Sequence, residues 1–210
     1  MTGKQMSALL GIRLDDPSEK NITEALKLEA LNNAVLRVCE LIDQSQLSDL
    51  EELQAGVAVT AGVVSFAVLE AAASNTILRI GPDKGILKTA INSSGVFMTR
   101  IVLDDLQAVK ENPYLAASTT HPYDYIYKEG VYVLPAAPGN VDIYYLKKPA
   151  ALVANTTEFP GLDATLHEIV LDLAEGSLWM QVHQGDRATS AEKHGLDEIQ
   201  AINTALGGEA

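Results

Sequence analysis

The chain has 210 residues and a formal net charge of -13, from 28 acidic against 15 basic side chains. Its apolar share of 47% supports a packed core and excludes global disorder. Charge of this sign excludes a broad nucleic-acid-binding surface, which needs clustered Lys and Arg. In chain order, residues 1–20 read as an irregular lead-in, because Asp15-Asp16 and Pro17 interrupt any helix there. The stretch is too weakly apolar for a secretory signal peptide. Thr23 is a good N-cap and Glu24 an acidic first-turn residue. Leu28, Leu31, Val35, Val38 and Ile42 follow at spacings of three and four, predicting an amphipathic helix of about six turns. Ser48 with Glu51 has the capping-box pattern of a shorter second helix ending near Gly56.

From Val57 to Leu146 the pattern changes to β. VVSFAVL, TILRIG, ILKTAI and GVFMTRIVL are short, β-branched segments bounded by Gly, Asn, Ser or Pro. The longest apolar run, residues 56–73, reads as loop and strand running into a short helix. It carries Glu70 and is too short and broken to span a bilayer. GPDKG is a turn signal, and residues 104–110 suggest a brief helical turn.

Next come three aromatic strands. Tyr123, Tyr125 and Tyr127 fall on one face, with Ile126 opposite. Lys128-Glu129-Gly130 turns the chain, Val131 to Leu134 return, and residues 137–140 turn it again. Val141, Ile143 and Tyr145 then alternate with Asp142 and Tyr144. The expectation is a three-stranded meander stopped by Pro149. Residues 150–160 read as a connector. Leu166, Ile169, Val170, Leu173 and Leu178 trace the stripe of a following helix. Gly176 interrupts it, at a cost near 1 kcal/mol, and a close helix–helix contact would explain that glycine. Residues 184–186 make a short turn into a last helix with Leu196, Ile199, Ile202 and Leu206, implying an antiparallel pair.

The negative charge sits on the predicted helices. Residues 158–210 carry ten acidic residues against Arg187 and Lys193, and residues 23–55 carry seven against Lys27 and Arg37. Residues 56–157 carry eight of each sign. Solvated helix faces account for this, and so does a wall past which DNA slides without sticking. The single cysteine, Cys39, reads as a buried, inert thiol.

No chemistry stands out. His167-Glu168 starts a zinc-protease-like H-E-x-x-H, but Leu171 stands where the second His belongs. The four histidines form no ligand cluster by spacing, so no metal is expected. Nucleophile-elbow, P-loop and dinucleotide fingerprints are absent, and no catalytic residue or cofactor is expected. The tyrosines between Tyr123 and Tyr145 could stack bases, but too few basic residues interleave them. Sheet packing and subunit contact fit better. Trp179 is read as core or contact.

Several of these segments resemble the head-to-tail adaptor (neck ring) proteins of tailed bacteriophages, including the tail tubular proteins of short-tailed phages. The aromatic unit matches through Pro122, Tyr123, Gly130, Val133, Pro135, Tyr144 and Tyr145, and its link through Pro149-Ala150-Ala151-Leu152. The helical pair matches through Pro160, His167, Ile169, Val170 and Ala174, with Ile169 and Val170 one residue earlier than in many members. The resemblance implies a structural, non-enzymatic virion protein. It would form a ring, usually twelvefold, at the head–tail junction below the portal, extending the DNA channel without binding DNA specifically. Its partners would be the portal protein, a downstream neck or tail protein and further copies of itself, assembled in the host cytoplasm, with no membrane role. Candidate interface residues are Tyr123, Tyr125, Tyr127, Trp179 and Leu206. Residues Thr204 to Ala210 are expected to be flexible until bound.

The expected fold is α+β: an N-terminal helix, a central antiparallel β domain, and a C-terminal antiparallel helix pair that packs with the N-terminal helix. The expected divisions are 1–56, 57–149 and 150–210. Two rivals are a small-ligand-binding or enzymatic α+β domain and another neck part, such as a stopper or tail terminator.

Overall fold

In the computed structural model, residues 1–16, 21–153 and 162–207 are described, with side chains as far as Ala205. The architecture is α+β and falls into two units. Met1–Leu50 and Pro149–Ala210 form a helical unit, and Glu51–Lys148 form a β unit. Among the described residues no helix is long and apolar enough to cross a membrane.

The helical unit opens with α1 (Gly3–Arg13), which corrects the expected irregular lead-in. Thr2 and Gln5 form a capping box: Gln5 N–H donates to Thr2 Oγ1 at 3.1 Å, and Thr2 N–H donates to Gln5 Oε1 at 2.8 Å. Met6 and Leu10 are fully buried, while Ile12 is 65% exposed. Asp15 takes a left-handed φ of 54° just past the helix. The Asp16 carboxylate accepts from the N–H groups of Asn21 (2.8 Å) and Ile22 (2.7 Å). The two aspartates therefore follow the helix end rather than preventing a helix. Pro17 lies outside the described residues.

As expected, α2 (Glu24–Leu41) starts at Thr23, whose side chain accepts from Leu26 N–H. Its stripe buries Leu31, Val35 and Val38, together with Cys39, whose thiol burial pushes up to about 12. A 3-10 segment, Gln44–Leu50, buries Leu47 and Leu50. The helix expected from Ser48 does not form. Residues from Glu51 onward are a strand, because pairing with a distant strand overrides the local capping signal.

The β unit contains β1 (Glu51–Ala58), β2 (Val63–Ser65), α3 (Phe66–Ala73), β3 (Ile86–Ile91), β4 (Thr99–Arg100), α4 (Leu106–Glu111), β5 (Tyr123–Tyr127), β6 (Gly130–Leu134) and β7 (Asn140–Leu146). One sheet has the order β1-β7-β3 and is antiparallel throughout. The other has the order β2-β6-β5-β4, antiparallel except for the parallel β4–β5 pair. Both sheets feed one core, with Val64, Phe66, Val131 and Val133 meeting Ile86, Val141, Ile143 and Tyr145.

The meander expectation is corrected. β5 and β6 form a hairpin, but β7 leaves that sheet and pairs between β1 and β3. Its alternation holds: Val141, Ile143 and Tyr145 are buried. Periodicity of two records which face is apolar and is silent about which strand lies alongside. TILRIG contributes an isolated bridge between Ile77 and Lys147 rather than a strand. GVFMTRIVL contributes the two-residue β4 and a bridge between Phe97 and Ala90.

A charged pair lies within this unit. Asp124 is 1% exposed, accepting from Arg100 Nη2 (2.6 Å) and Nε (3.1 Å) and from Thr89 Oγ1 (3.0 Å).

The C-terminal pair is α5 (His167–Gln181) and α6 (Gly185–Gly207), joined by a short turn. α5 packs against α6, α2 and α1. A Cβ at Gly176 would stand 3.1 Å from Ala188 O and from Glu192 N, so the expected close contact is present. From the other side, a Cβ at Gly195 would stand 3.2 Å from Leu173 Cδ2 and 3.3 Å from Asp172 Cβ. The stripe residues Leu166, Ile169, Val170, Leu173 and Leu178 are all buried. The helix continues through Thr204 to Gly207, the first residues of the segment expected to order on binding. Residues 208–210, and the sequence features between Asn155 and Gly161, lie outside the described residues.

Candidate functional site

Two surfaces gather the candidate residues, one in each unit. The first is the face of the β2-β6-β5-β4 sheet that points away from the shared core. Strand alternation sends Val131, Val133 and Asp124 inward, so Tyr123, Tyr125 and Tyr127 on β5 and Tyr132 on β6 point outward together. Tyr125 and Tyr132 are register partners and stack, with ring centroids 5.0 Å apart at 18°. Tyr127 tilts onto Tyr132 at 6.1 Å, and Lys128 Nζ lies 5.2 Å from the Tyr127 ring centre. Burial is the main reason that the Tyr125 phenol sits above its ordinary pKa. Partners in register extend the face with Val63, Leu134 and Thr99, none of them charged. Cross-strand aromatic pairs of this kind are worth about 0.5–1 kcal/mol each. Tyr127 remains 39% exposed, so the ladder is not closed over by its own unit.

The second surface is a cleft of about 510 Å³ in the helical unit, lined by charged groups from α1, α5 and α6. Arg13 at the end of α1 reaches three carboxylates on α5: Asp172 Oδ1 at 2.7 Å, Glu175 Oε2 at 3.5 Å, and Glu168. Burial alone would lower the Arg13 pKa, but the Asp172 hydrogen bond and the three negative charges hold it above its ordinary value. Trp179 is 7% exposed and donates from Nε1 to Glu175 Oε1 at 3.0 Å. The Arg187 guanidinium covers its ring, 4.8 Å from the centroid. Sequence reading thus placed Tyr123, Tyr125 and Tyr127 on one surface. Trp179 belongs to a different unit, and the side chain of Leu206 lies outside the described residues.

Histidine spacing missed one grouping. His194 Nδ1 lies 2.6 Å from Asp172 Oδ2, and its Nε2 lies 3.9 Å from Glu198 Oε1. Asp172, His194 and Glu198 each offer one ligand atom, all within 4.8 Å of one another. The Asp172 hydrogen bond, then its charge and that of Glu198, hold the imidazole above its ordinary pKa. His194 and Glu198 stand four apart on α6, a visible signal; their partner twenty-two residues earlier becomes adjacent only when the helices pack. His167 lies apart from this group, buried, with Nε2 3.3 Å from Leu162 O.

No curated protein matches the chain. A family model described as "SU10 adaptor protein" matches residues 1–207, spanning both units and each of the surfaces above. The chain belongs to that family, one of phage head-to-tail adaptors and hence of structural virion proteins.

Proposed function

We propose that the protein forms a ring, twelvefold in the usual plan, below the portal at the head–tail junction, where it extends the DNA channel and receives the next neck or tail component. The family match over residues 1–207 carries this reading. The charge distribution supports it. The β unit carries ten acidic and eight basic residues, and the remainder of the chain eighteen against seven. Copies of so acidic a protein repel one another through their helical units and approach most easily through the tyrosine face, where Lys128 brings a positive charge rather than a negative one. Tyr123, Tyr125 and Tyr127 are the proposed contacts between neighbouring copies. Trp179, with Arg187 over it, belongs to the proposed contact surface of the helical unit, and Leu206 is the proposed apolar anchor on the portal. Acidic helices suit a channel wall that DNA passes without adhering. The role is mechanical, so no catalytic group is required.

Co-sedimentation with the portal protein of the same phage tests the reading. A folded adaptor is expected to travel with the portal as one large species. A monomer that ignores a folded portal at micromolar concentrations would instead favour the ligand-binding or enzymatic alternative.

A further inference from the structure

We propose that Asp172, His194 and Glu198 form a divalent-cation site that staples α6 to α5, taking zinc or a similar late first-row ion. The inference stands whether or not the chain docks on a portal.

Three features carry it. The first is the donor set. One imidazole nitrogen and two carboxylates, all within 4.8 Å of one another, make a three-ligand set that leaves further positions for water. An ion with bonds of about 2.0–2.2 Å holds its ligand atoms about 3.4 Å apart, a spacing that the 4.8 Å span of the set accommodates. The His194 side chain is 63% exposed and that of Glu198 39%, so both turn onto an ion by changes of rotamer. Imidazole with carboxylate suits zinc and its neighbours. Magnesium and calcium prefer oxygen donors throughout.

The second feature is rigidity. Asp172, the inner ligand, has a side chain only 9% exposed. Arg13 binds its Oδ1, leaving Oδ2 aimed at His194. That is the orienting role partners of metal ligands play. Gly195 brings the α6 backbone against Asp172 Cβ, setting His194 where the carboxylate points.

The third feature is charge. Around the cleft and the ligand set, the carboxylates of Glu168, Asp172, Glu175 and Glu198 outnumber the guanidinium groups of Arg13 and Arg187. A divalent ion adds positive charge where carboxylates are in excess.

Calorimetric titration of zinc chloride into the untagged full chain, stripped beforehand with a chelator, tests the site. Saturable binding of one ion per chain is expected, with no comparable heat from magnesium chloride. His194→Ala and Glu198→Gln should each weaken binding at least about 10-fold, while His183→Ala leaves it unchanged. Both ligand variants alter exposed side chains, and circular dichroism confirms that they remain folded. Asp172→Asn is avoided as sole test, since it disturbs the Arg13 contacts. Absence of saturable zinc binding, or binding that His194→Ala leaves intact, would overturn the proposal.

Discussion

Asp124 shows what one residue can require of a fold. Its carboxylate is 1% exposed, and Arg100 is the cation that neutralises it. Removing one partner of a buried pair leaves an uncompensated charge, so Arg100→Ala should cost about 3–5 kcal/mol in urea denaturation. A loss below about 1 kcal/mol would mean that the pair is no more than a surface contact. The sequence offers no sign of this pair: Asp124 lies among tyrosines in an alternating strand, and Arg100 becomes its neighbour through parallel pairing of β4 with β5. Gly176 is the opposite case. A glycine breaking an apolar helical stripe has few uses besides close approach, and the contact is there. His167 makes a prediction in pH. Burial, the largest cause, holds its pKa below 6.5. The unfolded imidazole therefore gains its proton at higher pH than the folded one. Stability from neutral His167 is full above the unfolded value and is lost as pH falls through the folded one. His167→Gln should shrink the fall in melting temperature between about pH 7.5 and about pH 5.5, compared with the parent chain. An unchanged fall would show that His167 does not carry it.

At the scale of elements, the helices were legible where they bury a continuous stripe. α2 and α5 repeat apolar residues at three and four, and both form. α1 has no such stripe; its start is written instead in Thr2 and Gln5, and a capping box nine residues before Gly11 is easily passed over beside Asp15 and Asp16. β1 and β7 were harder because their partners are distant in sequence. Glu51 pairs with Leu146, and a local capping pattern at Ser48 cannot register that. The stripe on α5 yields a sharp prediction. Leu173 is 3% exposed, and a Cβ at Gly195 across the helix pair would stand 3.2 Å from its Cδ2. Leu173→Asp buries a charge there and should cost several kcal/mol, about 4, loosening the helical unit. Far-UV circular dichroism and melting temperature at parental values would contradict the stripe. Gly176→Val asks the same of the crossing itself, where added atoms meet backbone rather than mobile side chains. Overpacking there should cost about 1–3 kcal/mol by the same melt.

At the scale of the molecule, the end of the chain is tied more closely than its composition suggests. Asn203 donates to Leu41 O at 2.9 Å and accepts from Asp43 N–H at 2.8 Å, closing the end of α2. Deleting residues 203–210 should therefore cost about 1–2 kcal/mol, whereas deleting 206–210 should leave the melting temperature near that of the full chain. Under the proposed role, the shorter deletion still weakens attachment to the portal, because it removes Leu206. Attachment equal to that of the full chain would exclude the tail as a docking element and leave the adaptor role standing. Ring formation on the portal is decided by mixing the purified full chain with its cognate portal and imaging the product by electron cryo-microscopy. A closed ring of this protein, seated on one end of the portal with its channel in register, is expected. Folded portal and folded protein that stay separate at micromolar concentrations would contradict it.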